Sequence, residues 1–272
     1  MTIKFWGVRG STPTPEQANA RYGGNTACIE VRLANGTLII LDCGTGVRGL
    51  GKSLLLEFGE RPICAYVFVT HFHWDHIQGI PFFVPLYRKA NTFLFHTHAQ
   101  GATNVKAAIE GQMGFPFFPV DVSAMQSTRH FYDLDAEAID VNGAVIRTAP
   151  MNHPQGCSGY RIEADGAVFV LATDTEPGSA VHDSNVRTLA EGADLLVYDA
   201  QYTPEELQEK KGWGHSSWLE GTRIARESRS RRLLLYHHDP DHDDDFVDGL
   251  VAKARREFSG LDAAREGMQI NL

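Results

Sequence analysis

The run Val67-Phe68-Val69-Thr70-His71-Phe72-His73-Trp74-Asp75-His76 constrains this chain more than any other segment, because an apolar strand ends directly on three imidazoles and a carboxylate. A short apolar run without alternation reads as a strand covered on both faces, which calls for helices outside a sheet. Four ligand-type side chains at its end then call for a site at the edge of that sheet. Histidines two apart can converge on one metal ion, while Asp75 and His76 reach toward a second position, an arrangement a rigid strand end favours. The alternative is a polar loop whose histidines only hydrogen-bond. A lone histidine fits that reading well; His-x-His-x-Asp-His directly after an apolar strand does not.

Similar strand-like runs cover 3–7, 27–33, 37–41, 92–96, 144–149, 159–163, 167–172, 195–198 and 232–236. Helical patterns fall at 47–58, 100–111, 184–191, 204–210, 217–228 and 243–258, with Ser216 or Ser217 as a cap for the helix that carries Trp218 and Ile224. Ala34-Asn35-Gly36 and Ala164-Asp165-Gly166 are hairpin signals at matching places in the two halves. Gly111 to Ser127, with FPFFPV inside it, reads as irregular. No composition shift divides the chain, so the expectation is one domain over 1–272, two mixed sheets packed face to face with helices outside.

The 272 residues, 43% hydrophobic and 22% charged, are ordinary for a globular chain. No window approaches the roughly 18 consecutive apolar residues of a membrane span, and MTIKFWGVRGS lacks the apolar core of a secretory signal. A cytoplasmic protein without a membrane partner is expected. Cys28, Cys43, Cys64 and Cys157 are scattered singly, so they read as reduced, buried small residues. A net charge of −9 disfavours large nucleic acids as partners and leaves a small anionic substrate open, since bound divalent ions supply local positive charge.

In order, the motifs resemble those of the metallo-β-lactamase fold superfamily over nearly the whole chain. Leu41-Asp42-Cys43-Gly44-Thr45-Gly46 matches the first motif, His71 to His76 the second and His153 in Pro150-Met151-Asn152-His153 the third. Asp174 in Leu171-Ala172-Thr173-Asp174 and His237 after Leu233-Leu234-Leu235-Tyr236 match the last two. The resemblance implies an α/β fold, a four-layer αββα sandwich. It further implies one metal ion on His71, His73 and His153, a second on Asp75, His76 and His237, and Asp174 between them. His238 is an alternative to His237. Two divalent ions are therefore expected per chain, zinc first, with manganese or iron also compatible with the donors. Two such ions make a bridging hydroxide available as a nucleophile near neutral pH, so no side-chain nucleophile is required. Asp75 counts here both as a ligand and as a catalytic carboxylate.

Gly214-His215-Ser216-Ser217 resembles the His-Ser/Thr motif of the phosphodiesterase branch, which includes ribonuclease Z and the cyclic phosphodiesterase of phosphonate breakdown. That resemblance implies His215 as the group that contacts the phosphoryl oxygens or protonates the leaving oxygen, a task suited to imidazole. Asp199, after the strand at 195–198, is implied as the carboxylate that fixes its tautomer. Only the 20 residues 154–173 separate His153 from Asp174, too few for the long basic arm of ribonuclease Z. A small diester, cyclic nucleotide or cyclic sugar phosphate is thus the expected substrate. A thioesterase or lactonase shares the ligand set and is the enzymatic rival; a metal-binding or sensing module is the rival without catalysis. The resemblance makes a homodimer an option and leaves oligomeric state open. His96 and His98 read as rim or structural residues, Trp74, Phe115, Phe117 and Phe118 as a pocket wall or loop anchors, and the acidic run 239–245 as a helix start.

Overall fold

β-Branched, leucine and aromatic residues concentrate in short runs that form two seven-stranded sheets. The computed structural model describes residues 1–98, 103–134 and 138–272. In chain order the strands are β1 (Thr2–Gly7), β2 (Cys28–Arg32), β3 (Leu38–Leu41), β4 (Cys64–Phe68), β5 (Thr92–His98), β6 (Thr128–Leu134), β7 (Ala138–Val141), β8 (Ala144–Met151), β9 (Cys157–Ala164), β10 (Ala167–Ala172), β11 (Leu195–Asp199), β12 (Leu233–Tyr236), β13 (Leu261–Ala263) and β14 (Gln269–Asn271). One sheet runs β14-β1-β2-β3-β4-β5-β6 and the other β13-β12-β11-β10-β9-β8-β7. Each is antiparallel on one side and parallel on the other. Strands β3 to β6 are parallel, as are β10 to β13. The carboxyl ends of parallel strands therefore gather at an edge of each sheet, the usual place for a ligand site in α/β folds.

Alternation within the strands explains their apolar sequence. Phe68, Phe169, Leu171, Leu234 and Tyr236 lie in the core between the sheets, whereas their neighbours Val67, Val170, Ala172, Leu233 and Leu235 pack outward under helices. On the first sheet the cover is α1 (Gly46–Phe58), the single turn α2 (Trp74–Ile77) and α3 (Val105–Gln112). Beyond α5 (Pro204–Glu209), the second sheet is covered by α4 (Ala180–Ala190), α6 (Trp218–Glu227) and α7 (Asp244–Glu257). Ser217 caps α6 by accepting the Glu220 N–H, and Asp243 caps α7 by accepting that of Phe246. The acidic run is thus a helix start, and Asp244 is buried while accepting the backbone N–H groups of Arg21 and Tyr22.

Asp165 and Gly166, at φ 55° and 75°, turn β9 into β10 as the sequence predicts. Asn142 and Gly143, at φ 51° and 89°, make an equivalent turn between β7 and β8. That hairpin and β6 were not anticipated: β6 alternates exposed and half-buried residues at a sheet edge, so it lacks the apolar density of the inner strands. The helix expected from residue 100 begins at Val105, and its expected start lies outside the described residues. Cys28, Cys43 and Cys157 are buried free thiols, but Cys64 is exposed at the outset of β4, where the chain has just left the α1 loop. No helix among the described residues is long and apolar enough to cross a membrane.

Phe169 is fully buried between the sheets. Phe169→Ala should cost about 3–5 kcal/mol of unfolding free energy, through lost burial plus the cavity left behind. Urea unfolding of the two chains measures this; a loss below about 1 kcal/mol would place Phe169 outside a packed core.

Candidate metal centre

Six chain segments deliver polar side chains to one edge of the sandwich, each at or just past the end of a strand, His153 among them after β8. Asp42 follows β3, residues 71–76 follow β4, Asp174 follows β10, Asp199 closes β11 and His237 follows β12. Asp42, Asp174 and His237 adopt left-handed backbone at φ 60°, 54° and 61°. Such conformations are uncommon outside glycine and occur most readily for Asn, Asp and His, and they turn each chain sharply as it leaves the sheet.

The ligand atoms converge. His71, His73 and His153 each bring one ligand atom within 4.8 Å of the others, as do Asp75, His76 and His237, and also His71, His76 and Asp174. His153 Nε2 lies 3.0 Å from His73 Nδ1. His76 Nε2 lies 3.2 Å from His237 Nε2 and 3.2 Å from Asp75 Oδ2, and His237 Nε2 is 3.1 Å from the same Asp75 oxygen. Asp174 sits between the two groups: its Oδ1 is 3.8 Å from His71 Nε2, 3.8 Å from His153 Nε2 and 3.5 Å from His237 Nε2. His237 points into this cluster. His238 turns away, its Nε2 donating to the Ala264 carbonyl.

The outward-facing nitrogens are held by other groups. His76 Nδ1 is 2.8 Å from Asp42 Oδ2, His153 Nδ1 donates to the Gly214 carbonyl at 2.8 Å, His237 Nδ1 is 2.9 Å from Gln201 Oε1 and His71 Nδ1 is 3.1 Å from Thr70 Oγ1. This leaves the Nε2 atoms of these four residues facing one another, the pattern in which an outer hydrogen bond fixes ring orientation and the inner nitrogen is free to ligate. His71 Nε2 is buried and has no hydrogen-bond partner among the described residues. A buried nitrogen without a hydrogen bond, 3.8 Å from Asp174 Oδ1 in a residue clustered with His73, His76 and His153, fits a divalent ion.

Electrostatics agree with that fit. Burial opposes charge on His237, but Asp174, Asp75 and Asp199 outweigh it and raise its pKa to about 9. Burial favours neutral Asp75, yet His76 and His237 hold its carboxyl well below the usual range. Burial and the neighbouring His76 push His71 well below its ordinary value. Protons on the edge shared by Asp75, Asp174 and His237 thus stand where cations are favoured.

Asp199 does more than face His215 Nδ1 at 3.0 Å. It also accepts the backbone N–H groups of Asp174, Gln201 and Ser216, tying three site segments together. Several contributors had no motif to announce them. Ser11 N–H donates to Asp75 Oδ2 at 2.8 Å, and a Cβ on Gly10 would lie 2.4 Å from His237 Nδ1. Glu176 accepts the N–H groups of Gly212 and Gly214, fixing the loop before His215. Their only sequence signal was glycine in the two loops. His96 lies away from the cluster, stacked between Phe68 and Tyr132 at 4.8 and 4.9 Å. Cys157 is buried with Sγ 3.6 Å from the Thr173 carbonyl oxygen, and burial pushes its thiol pKa well up, which suits packing and not nucleophilic chemistry.

Two clefts open at this edge. One, about 490 Å³, is lined by Ser11, His73, Asp75, Gln155, Asp174 and His215 together with Phe72 and Trp74. The other, about 650 Å³, lies across Phe72 and Trp74 and is apolar. Phe117 and Phe118 line it; Phe118 is half-buried against the core of the first sheet and anchors its loop, whereas Phe115 and Phe117 are largely exposed.

Comparison with known proteins agrees with the geometry. Residues 37–238 match the β-lactamase superfamily domain, and the chain belongs to that superfamily, in its metal-dependent hydrolase fold. Ribonuclease Z of Haloarcula marismortui is 25% identical over 99% of this chain and 96% of its own length. In fold, the chain is similar to the metallo-β-lactamase fold protein YhfI of Bacillus subtilis, with a TM-score of 0.72 at 20% identity over 99% of this chain and 98% of that one. It is also similar to the short form of human tRNase Z, with a TM-score of 0.69 at 18% identity over 100% and 99%. The chain is a metal-binding hydrolase.

These likenesses overturn one expectation, that large nucleic acids are excluded as partners. Ribonuclease Z matches the chain nearly end to end. Net charge sums over the whole surface and does not describe the potential at one edge.

Ligation requires neutral imidazole, so zinc uptake by the metal-free chain near neutral pH should release protons from His237 and His76, both raised above their ordinary values. Because the folded pKa of His237, about 9, lies above the ordinary 6.5, its proton stabilises the metal-free fold fully below about pH 6.5, and the contribution is lost as pH rises through 9. Calorimetric zinc titration in two buffers of different ionisation enthalpy counts the protons. The His237 share of the release is expected to be lost as pH rises through about 9. Burial opposes charge on His76, but Asp75, Asp174 and Asp42 outweigh it and hold its pKa well above the ordinary value, so its proton continues to be released. A count independent of pH would contradict the arrangement.

Proposed function

We propose that the chain hydrolyses phosphodiesters, with His71, His73 and His153 holding one divalent ion, Asp75, His76 and His237 a second, Asp174 shared between them, and His215 acting as the general acid. The observation that carries this reading is His215 itself. Its ring lines the polar cleft, and its Nδ1 is engaged by Asp199 at 3.0 Å, which leaves Nε2 as the nitrogen able to meet a substrate. A site needing only metal ligands has no use for a buried Asp-His pair aimed across it. Zinc is the first candidate for both positions, with manganese or iron compatible with the donors.

Divalent ions in such a site supply Lewis-acid polarisation of the phosphoryl group and acidify water. The protein's own residues do the rest. Asp75, held by the Ser11 N–H and exposed to the polar cleft, is placed to accept a hydrogen bond from the attacking water. His215 Nε2 gives its proton to the departing oxygen, while Asp199 keeps Nδ1 protonated and the ring in place. Asp199 is in turn immobilised by three backbone donors. A small diester, cyclic or linear, is the minimal substrate, and the likeness to Ribonuclease Z extends the class to RNA.

His215→Ala should keep near-normal zinc content and lose about 10²- to 10⁴-fold in kcat on a diester with a ribose alkoxide leaving group. The loss should be much smaller for a nitrophenolate, which departs without protonation. Full activity of the variant on the alkoxide substrate would remove His215 from catalysis. Turnover of lactones or thioesters by zinc-loaded protein, with no hydrolysis of small diesters or RNA, would replace the reading altogether.

A further inference from the structure

We propose that the apolar cleft beside the metal centre is a subsite for an uncharged aromatic ring, a nucleobase in the first instance, carried by the phosphodiester substrate. This inference rests on the phosphodiesterase reading and names the substrate chemistry of that site.

The motif that carries the histidines builds both clefts. Phe72 and Trp74 alternate with His71 and His73, and both line the polar cleft and the apolar one, so they form a wall common to the two. A group one sugar away from a phosphate in the first cleft can therefore reach the second. The apolar cleft, about 650 Å³, has the size of an organic ligand site, and none of its described lining residues is charged. Trp74, Phe82 and Phe117 are 76%, 54% and 77% exposed, far more than core aromatics. Phe82 is set edge-on to Phe118 with ring centres 5.8 Å apart, so the wall already has aromatic packing geometry. α3 contributes Ala107, Ala108 and Gly111 to the same lining, residues that take little space in the cleft.

One polar atom narrows the occupant. Gln112 lines the same cleft, and its Nε2 is buried with no hydrogen-bond partner among the described residues. A leftover amide donor is costly unless something accepts from it. An alkyl chain would fill the space but leave this donor unpaired; a heteroaromatic ring has a face for the aromatics and acceptor atoms along its edge. The charge is partitioned in the same sense, with the anionic phosphate beside the imidazoles and a neutral ring across Trp74.

Calorimetric binding of adenosine 5′-monophosphate and ribose 5-phosphate to zinc-loaded protein isolates the ring, since the two share sugar and phosphate. Adenosine 5′-monophosphate should bind about 5- to 150-fold more tightly, the range that one stacked base brings. That preference should shrink in Phe117→Ala, an exposed loop position, and in Trp74→Ala. Phenyl phosphate extends the comparison: a similar advantage over ribose 5-phosphate supports a subsite for aromatic rings in general, and an advantage confined to adenosine 5′-monophosphate supports one for nucleobases. Equal affinity of adenosine 5′-monophosphate and ribose 5-phosphate, or a preference that survives both substitutions, overturns the subsite and leaves the phosphodiesterase reading intact. Binding of neither phosphate overturns that reading and the subsite with it.

Discussion

Concentrating five imidazoles and two carboxylates at one largely buried edge is the constraint around which the rest of this structure is arranged. Buried polar groups of this kind are tolerated only when they are paired or bind a metal. Here the outer nitrogens of His71, His76, His153 and His237 are each held by a separate neighbour, and their inner nitrogens are left facing Asp75 and Asp174. Three of the turns that make this convergence use left-handed backbone at Asp42, Asp174 and His237. Strained turns of this sort persist only when the surroundings over-determine them, and the core between the two sheets provides that rigidity.

The supporting network reaches well beyond the cluster. Asp199 links the segment carrying Asp174 to the segment carrying His215, and Glu176 anchors the glycine loop whose Gly214 carbonyl holds His153. The histidine and carboxylate cluster and His215 are therefore positioned by shared hydrogen bonds. Disturbing Asp199 is expected to reach both, unlike a change at His215.

The convergence of these side chains was largely legible in the sequence because the candidate ligands are contiguous or follow conspicuous apolar strands. His71 to His76 announce themselves, and Asp174 and His237 stand directly beyond runs whose two-sided burial makes them unmistakable strands. The sequence favours His237 over His238 because it directly follows its strand, and the left-handed turn at His237 sends its ring into the cluster while His238 turns away. Ser11, Gln201 and Glu176 were missed because they act through backbone or outer hydrogen bonds across large sequence separations, and no local pattern encodes such contacts. The edge strand β6 was hidden because half of its residues face water. Large nucleic acids are not excluded, because a whole-chain net charge does not describe the potential at one site.

The most direct test is crystallographic: anomalous scattering at the zinc edge from crystals of the zinc-loaded chain. Two peaks roughly 3.5–4 Å apart are predicted, one among His71, His73 and His153 and the other among Asp75, His76 and His237, with Asp174 reaching both. A single fully occupied peak, with Asp174 turned away from it, would contradict the account.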